Sequence, residues 1–258
     1  MKKYFLFSLL IPIKIFAIIT FTPKSVEEIK HNEYNLNVYG KYNSGNTNKT
    51  TFGTENTMTF GDGSKWKNLI ILTYEYSEVD GEENTNKGKI HNRFTLKLNK
   101  SYDNETYLQT EYDKFQFIKS RTIAGDNIRY RINYFERFFV GVGSFYSKTV
   151  PEEINLTSKE RQKLKLNSYF IFTHTFNDKI KLNAFAFYQP TLYNFTDNTN
   201  IDFSDYRLTS RASLVSKITD RISFKINATY DYHSNPYNDV SKGEAELMFG
   251  LSYKFKNK

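Results

Sequence analysis

Successive side chains of a β-strand point to opposite faces, so a chain that switches between apolar and polar residues at every step is committed to sheet. In this chain Trp66, Asn68, Ile70, Leu72, Tyr74 and Tyr76 alternate with Lys65, Lys67, Leu69, Ile71, Thr73 and Glu75. The same period recurs clearly over 65–76, 89–98, 163–176, 206–217, 221–230 and 244–255. The apolar faces of these six segments hold 35 positions with no Asp, Glu, Lys or Arg, whereas the 35 opposite positions hold 16. A helical period would mix the two sets, so these segments are strands with one greasy face. A weaker form of the pattern marks six more strands at 33–43, 48–60, 106–117, 121–133, 138–147 and 180–189.

Twelve strands is an even number, and their connections alternate in length. Turn residues make tight links at 61–64, 99–104, 134–137, 177–179 and 218–220. Longer links are expected at 77–88, 148–162, 190–205 and 233–241, with short exceptions at 44–46 and 118–120. Pro151, Pro190 and Pro236 fall in the long links, and none falls in a strand by this reading. Strands of about ten residues, one-sided loops and an even count describe an antiparallel up-and-down transmembrane β-barrel. Aromatic rings favour the boundary of lipid and water. The interface set is Tyr42, Phe60, Trp66, Tyr76, Tyr134, Phe138, Tyr146, Phe176, Tyr188, Tyr206, Tyr232, Tyr253 and Phe255. A wall that is apolar outside and polar inside also accounts for a mean hydropathy of −0.61 alongside 43 Tyr and Phe.

The N-terminus reads as an export signal. Met1-Lys2-Lys3 is basic, and Tyr4 to Phe21 is apolar apart from Ser8, Lys14 and Thr20, with Pro12 inside. Residues 1–20 are expected to be the signal, cut near Ala17 or Thr20. A periplasmic lead-in over 21–32, the barrel over 33–255 and a tail over 256–258 complete the division. The expected location is the outer membrane. The net charge of +8 falls to +5 once Lys2, Lys3 and Lys14 are removed, leaving 33 basic and 28 acidic residues. That is no argument for nucleic acid. The expected partners are outer-membrane lipid and, during biogenesis, the barrel-assembly machinery, around a monomer.

The absence of cysteine excludes disulfides, thiolate metal sites and cysteine nucleophiles. The four histidines, His31, His91, His174 and His233, show no metal spacing; His233 is assigned to a loop. Ser168 and His174 share a face but stand six residues apart, about 20 Å at strand rise, too far for a nucleophile and its base. Glu111 and Asp113 share a face of the fifth strand, where pairing with basic neighbours is expected ahead of acid–base chemistry. Gly141 and Gly143 read as sites of close packing or curvature. No catalytic residue, cofactor or metal is expected, and the chain is read as no enzyme.

Several stretches carry a family resemblance. They are Ser44-Gly45-Asn46-Thr47, Tyr112-Asp113-Lys114-Phe115 on the fifth strand, Arg207-Leu208, Lys217 to Ser223, Ser234-Asn235-Pro236 and Gly250 to Phe255. In this order they resemble a bacterial family described as salt-induced outer-membrane proteins, a domain of unknown function. The resemblance implies an outer-membrane barrel and no established activity.

The remaining feature is the lumen. Lys89, Arg93, Lys97, Arg129, Arg131, Lys163, Lys165, Arg207, Arg211 and Lys225 should face it, with Glu55, Glu75, Glu111, Asp113, Glu244 and Glu246. Lumen charge tunes selectivity in open barrels. Two readings stand side by side: a narrow channel for small anionic or polar solutes, and a structural or stress-related barrel with a plugged interior. A lipid-modifying enzyme is a third.

Overall fold

The computed structural model describes residues 26, 32–43, 49–132, 137–153, 159–237 and 241–255. The expected signal segment, Tyr134 and the 256–258 tail lie outside them. Within the lead-in, Val26 is fully buried.

The strands are β1 (Glu33–Asn43), β2 (Lys49–Gly61), β3 (Trp66–Val79), β4 (Glu82–Lys97), β5 (Tyr102–Asp113), β6 (Ile118–Ile132), β7 (Arg137–Pro151), β8 (Arg161–Thr175), β9 (Ile180–Asn194), β10 (Asp202–Lys217), β11 (Ile222–His233) and β12 (Gly243–Phe255). Each pairs antiparallel with its sequence neighbours, and β12 returns to β1 to close the barrel. That seam is the shortest ladder: Tyr34, Asn35 and Leu36 meet Phe255, Lys254 and Tyr253, whereas β1 meets β2 over all eleven of its residues. Joining the end strands at this seam shortens the free edge of the kind that templates aggregation.

Alternation sorts the faces. Along β5 every odd residue from Asp103 to Asp113 is buried, while its even residues point out. The outer belt shows Ile90, Leu108, Val142, Phe170, Leu247, Phe249 and Leu251 to the surroundings. Two bands of rings flank it. At the turn end Trp66 stacks on Phe94 at 6.0 Å, Tyr102 meets Tyr130 at 5.0 Å, and Phe138 meets Phe172 edge-on. His174 sits between Phe172 and the outward Phe176. At the loop end Tyr188, Tyr206 and Tyr232 form a row, and Tyr146 packs on Phe195. Phe60 and Tyr76 are half-buried on the outer face. The backbones of Tyr42, Tyr253 and Phe255 are in strands, and their side chains lie outside the described residues.

Four sequence expectations need correction. The long connection at 77–88 is a two-residue hairpin. Asp80 and Gly81 both have positive φ, 52° and 85°, as a primed turn requires. The flanking polar residues look like loop but continue the ladder, with Thr85 and Lys87 buried inside. The fifth strand stops at Asp113. Lys114–Gln116 form a one-turn 3₁₀ helix, so Lys114 and Phe115 are not in strand; Asp113 caps it by accepting the Gln116 amide, and Phe117 at φ 55° turns the chain back. His233 ends β11 instead of sitting in a loop. Pro151 and Pro190 do fall in strands. Pro190 lies within β9 beside register shifts against both β8 and β10, where a missing N–H breaks no regular rung. Pro151 ends β7 next to another shift.

Two inward glycines have a steric reason. Gly141 lies directly opposite Tyr169, whose ring crosses it so closely that an added Cβ would lie 2.1 Å from Cζ. Gly125 is opposite Tyr107 in the same way, at 2.6 Å. Laying a ring over a strand glycine restores contact that the glycine lacks. Gly141→Val should push Tyr169 off its partner Glu105 and cost about 1–3 kcal/mol, the usual range for overpacking. Urea unfolding in detergent measures this, and an unchanged midpoint would count against the packing described.

The turn between β2 and β3 is organised by Asp62. One of its carboxylate oxygens accepts the amides of Ser64 (2.9 Å), Lys65 (2.8 Å) and Trp66 (3.1 Å). The Ser64 amide first, then that of Trp66, hold this carboxyl well below the ordinary carboxylate range. A depressed folded-state pKa gives stability that is complete above the unfolded pKa, about 4, and declines as the pH falls below it. Asp62→Asn should therefore flatten the stability profile below about pH 4 and leave it parallel to wild type near neutrality. Fluorescence of Trp66 during urea unfolding reads the difference.

Candidate functional site

The inward face is not uniform. Along β3–β9 its residues are buried and packed. Leu69, Ile71, Ile123, Phe139, Phe145, Ile171 and Phe187 are at most 1% exposed. Phe139, Tyr169, Ile171, Phe185 and Phe187 form one cluster, and Tyr107, Ile123 and Phe145 another. Period-two reading gives no warning of this filling, because β7–β9 carry aromatics on both faces and alternation loses contrast there.

A charged group is embedded beside these clusters. Arg129 donates to Asp103 through Nε at 3.0 Å and through Nη2. Its Nη1 lies 3.1 Å from Glu105, and Arg93 approaches the same carboxylate at 3.7 Å. The Tyr169 hydroxyl donates to Glu105. Arg129 also lies over the Phe139 ring at 4.6 Å, and Arg93 over Tyr107 at 5.5 Å. Lys67 is buried on this wall too. The sequence reading sets Asp103 in the 99–104 turn and begins the strand only after Glu105; both are inward residues of β5, whose polarity hides the start of the strand. His91 is fully buried with Nδ1 3.0 Å from the Gln109 amide oxygen. Ser168 faces outward and donates to the Tyr188 carbonyl, well away from His174 near the β8 end.

On the opposite wall, formed by β10–β12, β1 and β2, the inward residues around mid-barrel are half-exposed, whereas Thr57 and Thr59 on β2 and Arg207, Thr209, Thr229 and Asp231 on β10 and β11 are buried. Asn35, Asn37, Tyr39, Glu55, Arg211, Ser213, Lys225 and Asn227 all keep partial access. Lys225 reaches Asn37 at 3.4 Å, and Asn37 reaches Glu55 at 3.4 Å. Arg211 lies 6.0 Å from the Phe185 ring centre. Glu244 faces inward here; the side chain of Glu246 lies outside the described residues. The lumen is thus a packed half beside a polar strip.

Toward the loop end the packed half opens into a small recess of about 60 Å³ that connects with solvent. Arg121, Arg161, Lys163, Lys165 and Arg207 line it, with Glu111, Asp113, Gln189 and His233. Five basic side chains face two acidic ones. Behind them stand Asp205 and Asp231. Lys163 and Thr191 both donate to Asp205, and Thr209 donates to Asp231 at 2.5 Å. Arg121 pairs with Glu111 at 3.1 Å, and Lys87 with Glu75 at 3.4 Å. Arg161 stacks on Tyr237 at 3.7 Å and donates to the Asn235 carbonyl at 2.8 Å, which ties the β11–β12 loop across the mouth.

Of the lumen candidates, Lys89, Arg93, Glu111, Asp113, Arg129, Lys163, Lys165 and Arg207 are buried within the barrel. Lys97, Arg131, Arg211 and Lys225 are half-exposed on inward positions. The structure adds Lys67, Lys87, Asp103, Glu105, Arg121, Asp205 and Asp231. The interior therefore holds more acid than the sequence reading foresaw. Among the described residues no group of His, Cys, Asp and Glu is arranged to hold a metal ion.

Comparison with solved structures returns barrels of the same kind. The chain is similar to the NanC porin, with a TM-score of 0.50 and 12% identity over 87% of this chain and 99% of that one. It is also similar to the KdgM porin, with a TM-score of 0.45 and 12% identity over 88% of this chain and 100% of that one. The translocator domain of the autotransporter NalP from Neisseria meningitidis gives 0.45 and 13% over 87% of each chain. At such identities the likeness to NanC speaks for the fold alone. No curated protein matches. The family model described as "Protein of unknown function, DUF481" matches residues 38–255, a description that says nothing of salt induction. With that match over most of its length, the chain belongs to the DUF481 family.

Proposed function

We propose that the protein is an outer-membrane barrel whose half-exposed strip forms a narrow channel for small anionic or polar solutes. The carrying observation is the lopsided lumen, in which Arg211 and Lys225 keep partial access on a wall that the packing clusters leave uncovered. Cations along a confined path concentrate anions and raise their rate of entry. The apolar belt between two bands of rings supports insertion in a bilayer. By this reading the N-terminus and the tight turns lie in the periplasm, and the basic recess faces the outside.

The packed half favours a second reading, a rigid barrel without transport. Single-channel recording of purified protein in a planar bilayer separates the two. Small, steady conductance steps are expected, and silence across many insertions would defeat the channel. Gel mobility that differs before and after boiling is the expected behaviour of a closed barrel and checks folding in the same sample.

A further inference from the structure

We propose that the loop-end recess holds a binding site for a small oxyanion bearing an O–H group, centred on Lys165 and Asp205; this rests on the channel reading and gives the solute a stopping point. One carboxylate serves two ammonium groups here. Asp205 Oδ2 accepts from Lys163 and, at 2.7 Å, from Thr191. Lys165 lies 3.8 Å from the other oxygen, Oδ1, too far for a hydrogen bond. That oxygen is buried and accepts no hydrogen bond. Lys165 itself is only 6% exposed. A buried acceptor and a buried cation therefore stand side by side, each short of a hydrogen bond; Lys165 lines the recess, and Asp205 stands directly behind it.

Buried polar groups left without partners cost free energy, so this pair favours a ligand that completes both. The complement has two parts. An anionic oxygen would accept from Lys165, and an adjacent O–H would donate to Asp205 Oδ1. A 2-hydroxycarboxylate has both features, and so does hydrogen phosphate. A carboxylate without the hydroxyl satisfies the lysine and leaves the acceptor bare. The lysine pair with its one carboxylate carries a net positive charge, which suits a monoanion.

Ligand-observed NMR of the full chain in detergent tests this with lactate, propionate and inorganic phosphate as probes. Lactate should bind about tenfold more tightly than propionate, the value of one hydrogen bond to a charged group. Lys165→Met should abolish the lactate signal, while Lys179→Met, on the turn at the other end, should leave it intact. The tighter of lactate and phosphate identifies which oxyanion the site takes. Equal binding of lactate and propionate would overturn the hydroxyl requirement, and binding unchanged in Lys165→Met would overturn the site. Saturable binding in a protein that does not conduct would leave the site standing and remove the channel. Conductance without saturable binding would do the reverse. Unaltered heat-modifiable mobility of Lys165→Met secures that its barrel is folded.

Discussion

Glu105→Ala is expected to destabilise the barrel by about 3–5 kcal/mol, the cost of removing one member of a buried ion pair. Glu105 is fully buried and accepts the Tyr169 hydroxyl while facing Arg93 and Arg129. Removing it takes away the carboxylate that faces both guanidinium groups, although Asp103 still pairs with Arg129. Water does not reach them easily, because Ile123, Phe139 and Phe145 pack the same wall. Glu105→Gln should cost less, since the amide oxygen still accepts from Tyr169. Arg93→Met combined with Glu105→Leu should recover part of the loss, because replacing a buried pair with apolar groups is often neutral or better. Urea unfolding of the refolded protein in detergent gives all three values. An alanine variant as stable as the parent would mean that this cluster is hydrated.

Reversing Arg211 and Lys225 to Glu together should invert ion selectivity. Both sit on the half-exposed strip, where Glu55 is linked to Lys225 through Asn37. At an effective dielectric of about 20, a unit charge 4 Å from an ion contributes about 4 kcal/mol, and about 1.4 kcal/mol is tenfold in a ratio. Even heavily screened, the double reversal should lower the anion-to-cation permeability ratio by about tenfold or more. Reversal potentials in a salt gradient read the sign. If the path ran elsewhere the ratio would stay put, and conductance without a selectivity change would relocate the channel.

Much of the fold was legible because a barrel wall repeats one simple rule. Where outer residues are apolar and inner ones charged, as at Ile90 with Lys89 or Phe224 with Lys225, period two placed strands and faces together. Legibility failed for three physical reasons. Polar residues that continue a ladder beyond the apolar belt look like loop, as with Thr85 and Lys87, although Asp80-Gly81 was a readable hairpin signal. Inner faces that are themselves aromatic, as at Phe139, Tyr169 and Phe187, remove the contrast that alternation needs. Pairings between distant strands leave no local trace: nothing in the sequence joins Asp205 to Lys163 or Glu105 to Tyr169. The basic character of the lumen was visible, but its division into a packed half and a polar strip required the register of all twelve strands.

By the proposed reading, a partly filled barrel keeps an anion-preferring path along its β10–β12, β1 and β2 wall. The most direct test is the reversal potential of the wild-type protein in a planar bilayer under a potassium chloride gradient. Open channels are expected, with a reversal potential of the sign of chloride preference. Cation preference would contradict it, as would a folded, heat-modifiable barrel that never conducts.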